Sequence, residues 1–180
     1  IVETLRLLAP MTSAVIAATV VLALQWVLVN QGIWQTFAVS GLVLVGAGFV
    51  AAAVTVLMKW LCVQRIKAGD HQLWSAFVWL NELQDQFVET VAGPWFLAHT
   101  MGTGSLNMFL RALGAQIGRG AWLDSYWLPE ADLVSIGRGA SVGPGCVVQT
   151  HLFQDRRVRA GKPTPRGGDP TPPPIPAQGR

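Results

Sequence analysis

His151, Asp155 and Arg156 stand close together, and they are residue types that group-transfer chemistry uses. A neutral imidazole at His151 can take a proton from an attacking nucleophile. A carboxylate at Asp155 can orient that imidazole, and the Arg156 guanidinium can hold a phosphate or carboxylate through paired hydrogen bonds. A structural reading also stands, with His151 capping a coil and Asp155 and Arg156 forming a surface pair. Glu130 and Asp132 suit a cationic substrate amine, or else only solvate a loop. His99 shares a loop with Gly102 and Gly104, from which it can approach the same place. The candidate catalytic residues are therefore His151 and Asp155, and the candidate substrate-binding residues are Arg156, Glu130, Asp132 and His99. No metal site is expected, because the one histidine of this region cannot supply a ligand set. Cys62 and Cys146 lie in unrelated contexts and read as unpaired thiols.

The element that must position His151 is the stretch 113–153. Aliphatic residues recur there at six-residue spacing, each followed by a small or polar one: Ile117-Gly118 and Leu123-Asp124, then Ile136-Gly137, Val142-Gly143 and Val148-Gln149. That period predicts a left-handed parallel β-helix of hexapeptide repeats, with the aliphatic side chains pointing inward. Ile117 and Ile136 are 19 residues apart, one more than three hexads, and the extra residue falls near Leu128, Pro129 and Glu130. The β-helix is expected over 115–156 and is short.

Composition places this element beside a membrane. Hydrophobic residues make up 51% of the chain and charged residues 13%, against roughly 25% charged in soluble domains. The net charge of +3 is small and scattered, which excludes a nucleic-acid footprint. Residues 11–29 and 36–58 carry no charge. As helices they are about 28 and 34 Å long, enough to span a bilayer. Their short connection, 30–35, makes them an antiparallel hairpin within 1–67. Arg6 precedes the first span, Lys59, Arg65 and Lys67 follow the second, and the connection has neither Lys nor Arg. The positive-inside rule puts both ends in the cytoplasm. Gly41, Gly48 and Ala52 offer a small-residue surface to another helix.

Residues 70–92 read as an amphipathic helix capped by Asp70 and stopped by Gly93-Pro94. Ala76, Leu80, Leu83, Phe87 and Val91 form its apolar face, expected to pack on the β-helix, and Glu82, Asp85 and Glu89 its acidic stripe. A short helix beginning near Ser105 and stopped by Gly114 should close the end of the coils. Together these occupy 68–114. The Pro- and Gly-rich stretch 157–180 is expected to be a disordered tail or frame-shifted sequence. The chain begins with Ile1, and Met11 lies inside an apolar run, which reads as a fragment of a longer protein. The fold class is thus an α+β membrane protein: hairpin, amphipathic helix and truncated β-helix.

Three segments carry a resemblance: LRALGAQIGR (110–119), PEADLVSIG (129–137) and QTHLFQDR (149–156). They resemble the C-terminal membrane region of single-module nonribosomal peptide synthetases of the epsilon-poly-lysine synthetase type. In that family adenylation and carrier domains precede membrane helices that alternate with soluble domains of the hexapeptide-repeat acyltransferase fold. The resemblance implies aminoacyl transfer from a phosphopantetheine thioester on a separate carrier domain to an amine, without a metal. It gives His151 the role of base and lets Arg156 hold the phosphopantetheine. It implies membrane lipid and the carrier and adenylation domains of the same longer chain as partners, with a homo-oligomer possible through Trp122 and Trp127. It also implies a multi-pass location in the bacterial cytoplasmic membrane, with the coils on the cytoplasmic side. Two other functions fit the residues: a non-catalytic anchor or oligomerisation module, and a membrane acetyltransferase using acetyl-CoA.

Overall fold

A computed structural model describes residues 5–66, 69–72, 76–148, 151–154 and 157–160; for Phe77 and for 69–72, 151–154 and 157–160 it describes the backbone alone. The chain opens with α1 (Leu8–Gln31) and α2 (Ile33–Met58), packed against each other as a hairpin. Nothing in the apolar run breaks the first helix before Gly32. That residue takes φ +93°, a conformation open to glycine at little cost, and its N–H still closes on Leu28 O at 3.1 Å. The connection expected over 30–35 is therefore a single residue. Both helices are long and apolar enough to cross a membrane. Val21, Leu22, Trp34, Phe37 and Leu42 are exposed, unlike the apolar face of a soluble core helix.

Beyond α2 the chain widens into a π-helical turn, Lys59–Val63, and then forms β1 (Gly69–Gln72). The helix α3 (Ala76–Phe87) runs directly into a π-helix, Val88–Leu97, followed by a single turn, Ala98–Thr100, and by α4 (Gly104–Ala112). Two expectations are corrected here. Asp70 lies in a strand, six residues before the first described helical residue, and Gly93-Pro94 does not stop the helix. The wider π turn gives the Pro94 ring room that a regular α-helix would deny it.

The apolar face of this long helix also packs elsewhere than expected. Leu83, Phe87 and Val91 are buried against Ala9, Ile16 and Ala51 of the hairpin, not against the strands. Small residues on α2 make that approach possible. A Cβ on Gly48 would lie 2.6 Å from Trp95 O, so only glycine admits the backbone there. The Trp95 indole N–H donates to Ser13 Oγ at 3.0 Å, and Thr55 Oγ lies 3.4 Å from Phe87 O. From Met58 towards the middle of α2, the hairpin is thus covered by a third helical layer.

The strands are short. β2 (Gln116–Ile117) pairs in parallel with β4 (Ser135–Ile136), and β3 (Trp122–Leu123) with β5 (Ser141–Val142). Ile117 faces Ile136 and Leu123 faces Val142, so both ladders step by 19 residues. Val148 N–H donates to Trp127 O at 3.1 Å, a third contact between the same two stretches of chain. Gly118 stacks so closely on the next layer that a Cβ would sit 2.6 Å from Arg138 N. Ile117, Leu123, Leu128 and Val134 are buried together with Leu106, Phe109 and Leu110 of α4. Among the described residues these ladders do not extend into a continuous β-helix, because each joins only two residues per strand. After Val148 the pairing changes character: β6 (His151–Gln154), β7 (Arg157–Ala160) and β1 form an antiparallel sheet in the order β1-β7-β6. The expected tail thus contributes a strand at 157–160, and its remainder, 161–180, lies outside the described residues.

Candidate functional site

Asp132 sits in a 3-10 turn, Ala131–Leu133, at the loop where the hexad spacing gains its extra residue. Its side chain is 5% exposed and that of Lys59 4%, with Lys59 Nζ 2.7 Å from Asp132 Oδ2. Ile66 N–H donates to the same oxygen at 3.0 Å. The Lys59 ammonium also lies 3.8 Å from the centre of the Trp60 ring, whose indole N–H donates to Ala112 O at 2.9 Å. Gly114, at φ +114°, leaves the space for the carboxylate, since a Cβ there would collide with Asp132 Oδ1. Both carboxylate oxygens are therefore enclosed, and the geometry is that of a tie between the end of α2 and the strands.

Glu130, two residues earlier, is buried in a left-handed conformation at φ +53°. Its charge acts on Asp85, which lines a cavity of about 400 Å³ between α3 and residues 126–129. Asp85 and Val88 form one wall; Leu113, Tyr126, Trp127, Leu128, Pro129 and Val147 form the others. The Tyr126 and Trp127 rings stack at 5.5 Å between centres. Burial pushes Asp85 up from 3.8 to about 7, helped by the charges of Glu89, Glu130 and Glu82. A carboxyl that titrates near neutrality in a concave site can bind a cation or carry a proton. From sequence, Asp85 belonged to an acidic stripe with Glu82 and Glu89. Nothing local distinguishes it, because its burial comes from residues 126–129, far along the chain.

Comparison with known proteins finds a relative of this chain. It is 38% identical over 109 residues to the Delta-poly-L-ornithine synthetase of Acinetobacter baumannii (strain AB307-0294). The chain resembles part of a poly-amino-acid synthetase. The aligned segment is 61% of this chain and 8% of that relative. No protein-family model matches the chain, and no solved structure does.

The remaining candidate residues are not gathered at one point. His99 is exposed on the turn after the π-helix. It lines a second cavity, about 610 Å³, beside Gly41, Leu44 and Val45 of α2. Asp132 adjoins Lys59, at the opposite end of that helix, about 20 Å away at 1.5 Å per residue. His99 and Asp132 therefore belong to different sites, whereas Glu130 is near enough to Asp85 for its charge to act on it. His151 begins β6, paired with Ala160 of β7. Its side chain, Asp155 and Arg156 lie outside the described residues. Among the described residues no group of three His, Cys, Asp or Glu side chains is placed to hold a metal ion.

Proposed function

We propose that the chain is part of the membrane-bound terminal region of a nonribosomal poly-amino-acid synthetase, and that it transfers an aminoacyl group from a carrier thioester to an amine. The observation that carries this reading is the 38% identity over 109 residues to a Delta-poly-L-ornithine synthetase. On this reading α1 and α2 cross the bacterial cytoplasmic membrane, with Arg6, Lys59 and Arg65 on the cytoplasmic side. The ladders are coils of a left-handed hexapeptide β-helix, a view supported by their common 19-residue step and by the stacking of Gly118 on Arg138.

The chemistry follows from the groups present. The donor is an aminoacyl thioester on the phosphopantetheine of a carrier domain, loaded by an adenylation domain of the same longer chain. His151 removes a proton from the incoming ammonium, and the freed amine attacks the thioester carbonyl. The C–N bond forms, the C–S bond breaks, and the departing thiolate takes up a proton. Asp155 orients the imidazole and Arg156 holds the phosphate of the carrier arm. Glu130 faces the amine-bearing substrate. Replacing His151 by Ala in the intact synthetase should abolish polymer formation while amino-acid-dependent ATP–pyrophosphate exchange persists. Unchanged polymer formation overturns the assignment.

A non-catalytic anchor is the second reading. It is favoured by the buried Lys59–Asp132 pair, which fixes the strands to the hairpin. The same His151→Ala experiment separates the two.

A further inference from the structure

We propose that the cavity between α3 and residues 126–129 binds a primary alkylammonium group, with Asp85 as its counter-ion and the Tyr126 and Trp127 rings as walls. Three features converge on that ligand. No Lys, Arg or His is among the residues that line the cavity. Among the described residues Asp85 has no hydrogen-bond or ion-pair partner. Burial, with the charges of Glu89, Glu130 and Glu82, disfavours its ionised form, and a cation bound against the carboxylate would offset that cost.

The walls select the rest of the molecule. Val88, Leu113, Leu128 and Val147 offer apolar contact to a methylene chain. The aromatic faces attract a cationic head. A primary ammonium, unlike a quaternary one, can also donate charge-assisted hydrogen bonds to the Asp85 carboxylate. An alkanoate of the same length meets like charge, and a neutral alcohol gains neither the ion pair nor the cation–π contact. Neither Glu130 nor Asp132 lines this cavity; Glu130 acts on Asp85 through its charge, and Asp132 is paired with Lys59. The cavity's place as the amine site of aminoacyl transfer rests on the synthetase reading above; the binding itself does not.

The test is calorimetric titration of the full chain in detergent micelles at pH 8, where Asp85 is ionised, with n-butylammonium, n-butanol and butanoate. Saturable binding is expected for n-butylammonium alone. Asp85→Asn should weaken it about tenfold or more, Trp127→Ala should weaken it, and Trp127→Phe should largely preserve it. Asp85→Asn removes a charge that the fold disfavours, so this variant stays folded. Equal binding of n-butanol, or undiminished binding by Asp85→Asn, overturns the proposal. If n-butylammonium binds while His151→Ala leaves polymer formation unchanged, the cavity stands and the transferase reading falls. If nothing binds while His151→Ala abolishes product, the reverse holds.

Discussion

Lys59→Met and Asp132→Asn probe the point where the hairpin and the strands are joined. The Lys59 ammonium and Asp132 carboxylate are 2.7 Å apart and almost fully buried. Removing one member of such a pair typically costs about 3–5 kcal/mol, because the other charge is left uncompensated in low dielectric. Lys59→Met keeps the length and apolar bulk of the side chain, so the loss is nearly all electrostatic. The stranded carboxylate then keeps one donor, Ile66 N–H, and the expected cost lies near the upper end, about 4–5 kcal/mol. Asp132→Asn retains an acceptor for Ile66 and leaves the ammonium over Trp60. That contact is worth up to about 2 kcal/mol when desolvated, which lowers the expected cost to about 2–3 kcal/mol. Lys59→Met with Asp132→Leu removes both charges and should recover most of the stability, so the two sites are strongly non-additive. Urea unfolding of the micelle-bound chain, followed by far-UV circular dichroism, gives these differences from midpoints at constant slope. Single variants within about 1 kcal/mol of the parent, or a double variant equal to the sum of the singles, would refute the buried tie. The series also bears on Asp132 as a substrate residue. If Asp132→Asn folds as stably as the parent and loses only amine binding, the substrate role first read from the sequence is the correct one.

Gly48→Leu should push the Val88–Leu97 helix off the hairpin, since even a Cβ there lies 2.6 Å from Trp95 O. Loss of about 1–3 kcal/mol is expected from the overpacking, measured by the same unfolding assay; an unchanged midpoint counts against the packing. Asp85 has a folded pKa near 7, above its ordinary 3.8. Folding therefore favours the protonated form, and this group's contribution to stability falls as pH rises from about 4 through about 7. Melting temperature should drop across that window in the parent, with a shallower drop in Asp85→Asn, which should be the more stable of the two at pH 8. An identical slope in both refutes the shift.

The parts of the fold that local pattern controls were readable in advance. Uncharged runs at 11–29 and 36–58 became α1 and α2, because no residue in either interrupts helix. The hexad spacing placed Ile117 over Ile136 and Leu123 over Val142, since a repeat that buries one side chain per hexad also sets the register. What escaped was non-local. The loop at 129–132 looks polar in sequence, yet Asp132 is buried because Lys59, 73 residues upstream, meets it. The acidic stripe of α3 looks uniform, yet Asp85 alone lines a cavity, because Tyr126 and Trp127 lie across from it. Leu83, Phe87 and Val91 were correctly seen as one apolar face, but helical spacing says nothing about which surface covers it. Ala9, Ile16 and Ala51 of the hairpin supply that surface. The backbone of His151 starts an antiparallel strand and not a further coil.

The central claim, aminoacyl transfer from a thioester to an amine, is tested most directly by supplying both partners. Membranes bearing the synthetase region would be incubated with a radiolabelled aminoacyl-pantetheine thioester and a free alkylamine, and amide would be separated from thioester and from free acid. The account predicts amide formation by the parent and none by His151→Ala. Thioester that decays only to free acid, at the same rate with and without the protein, would contradict it.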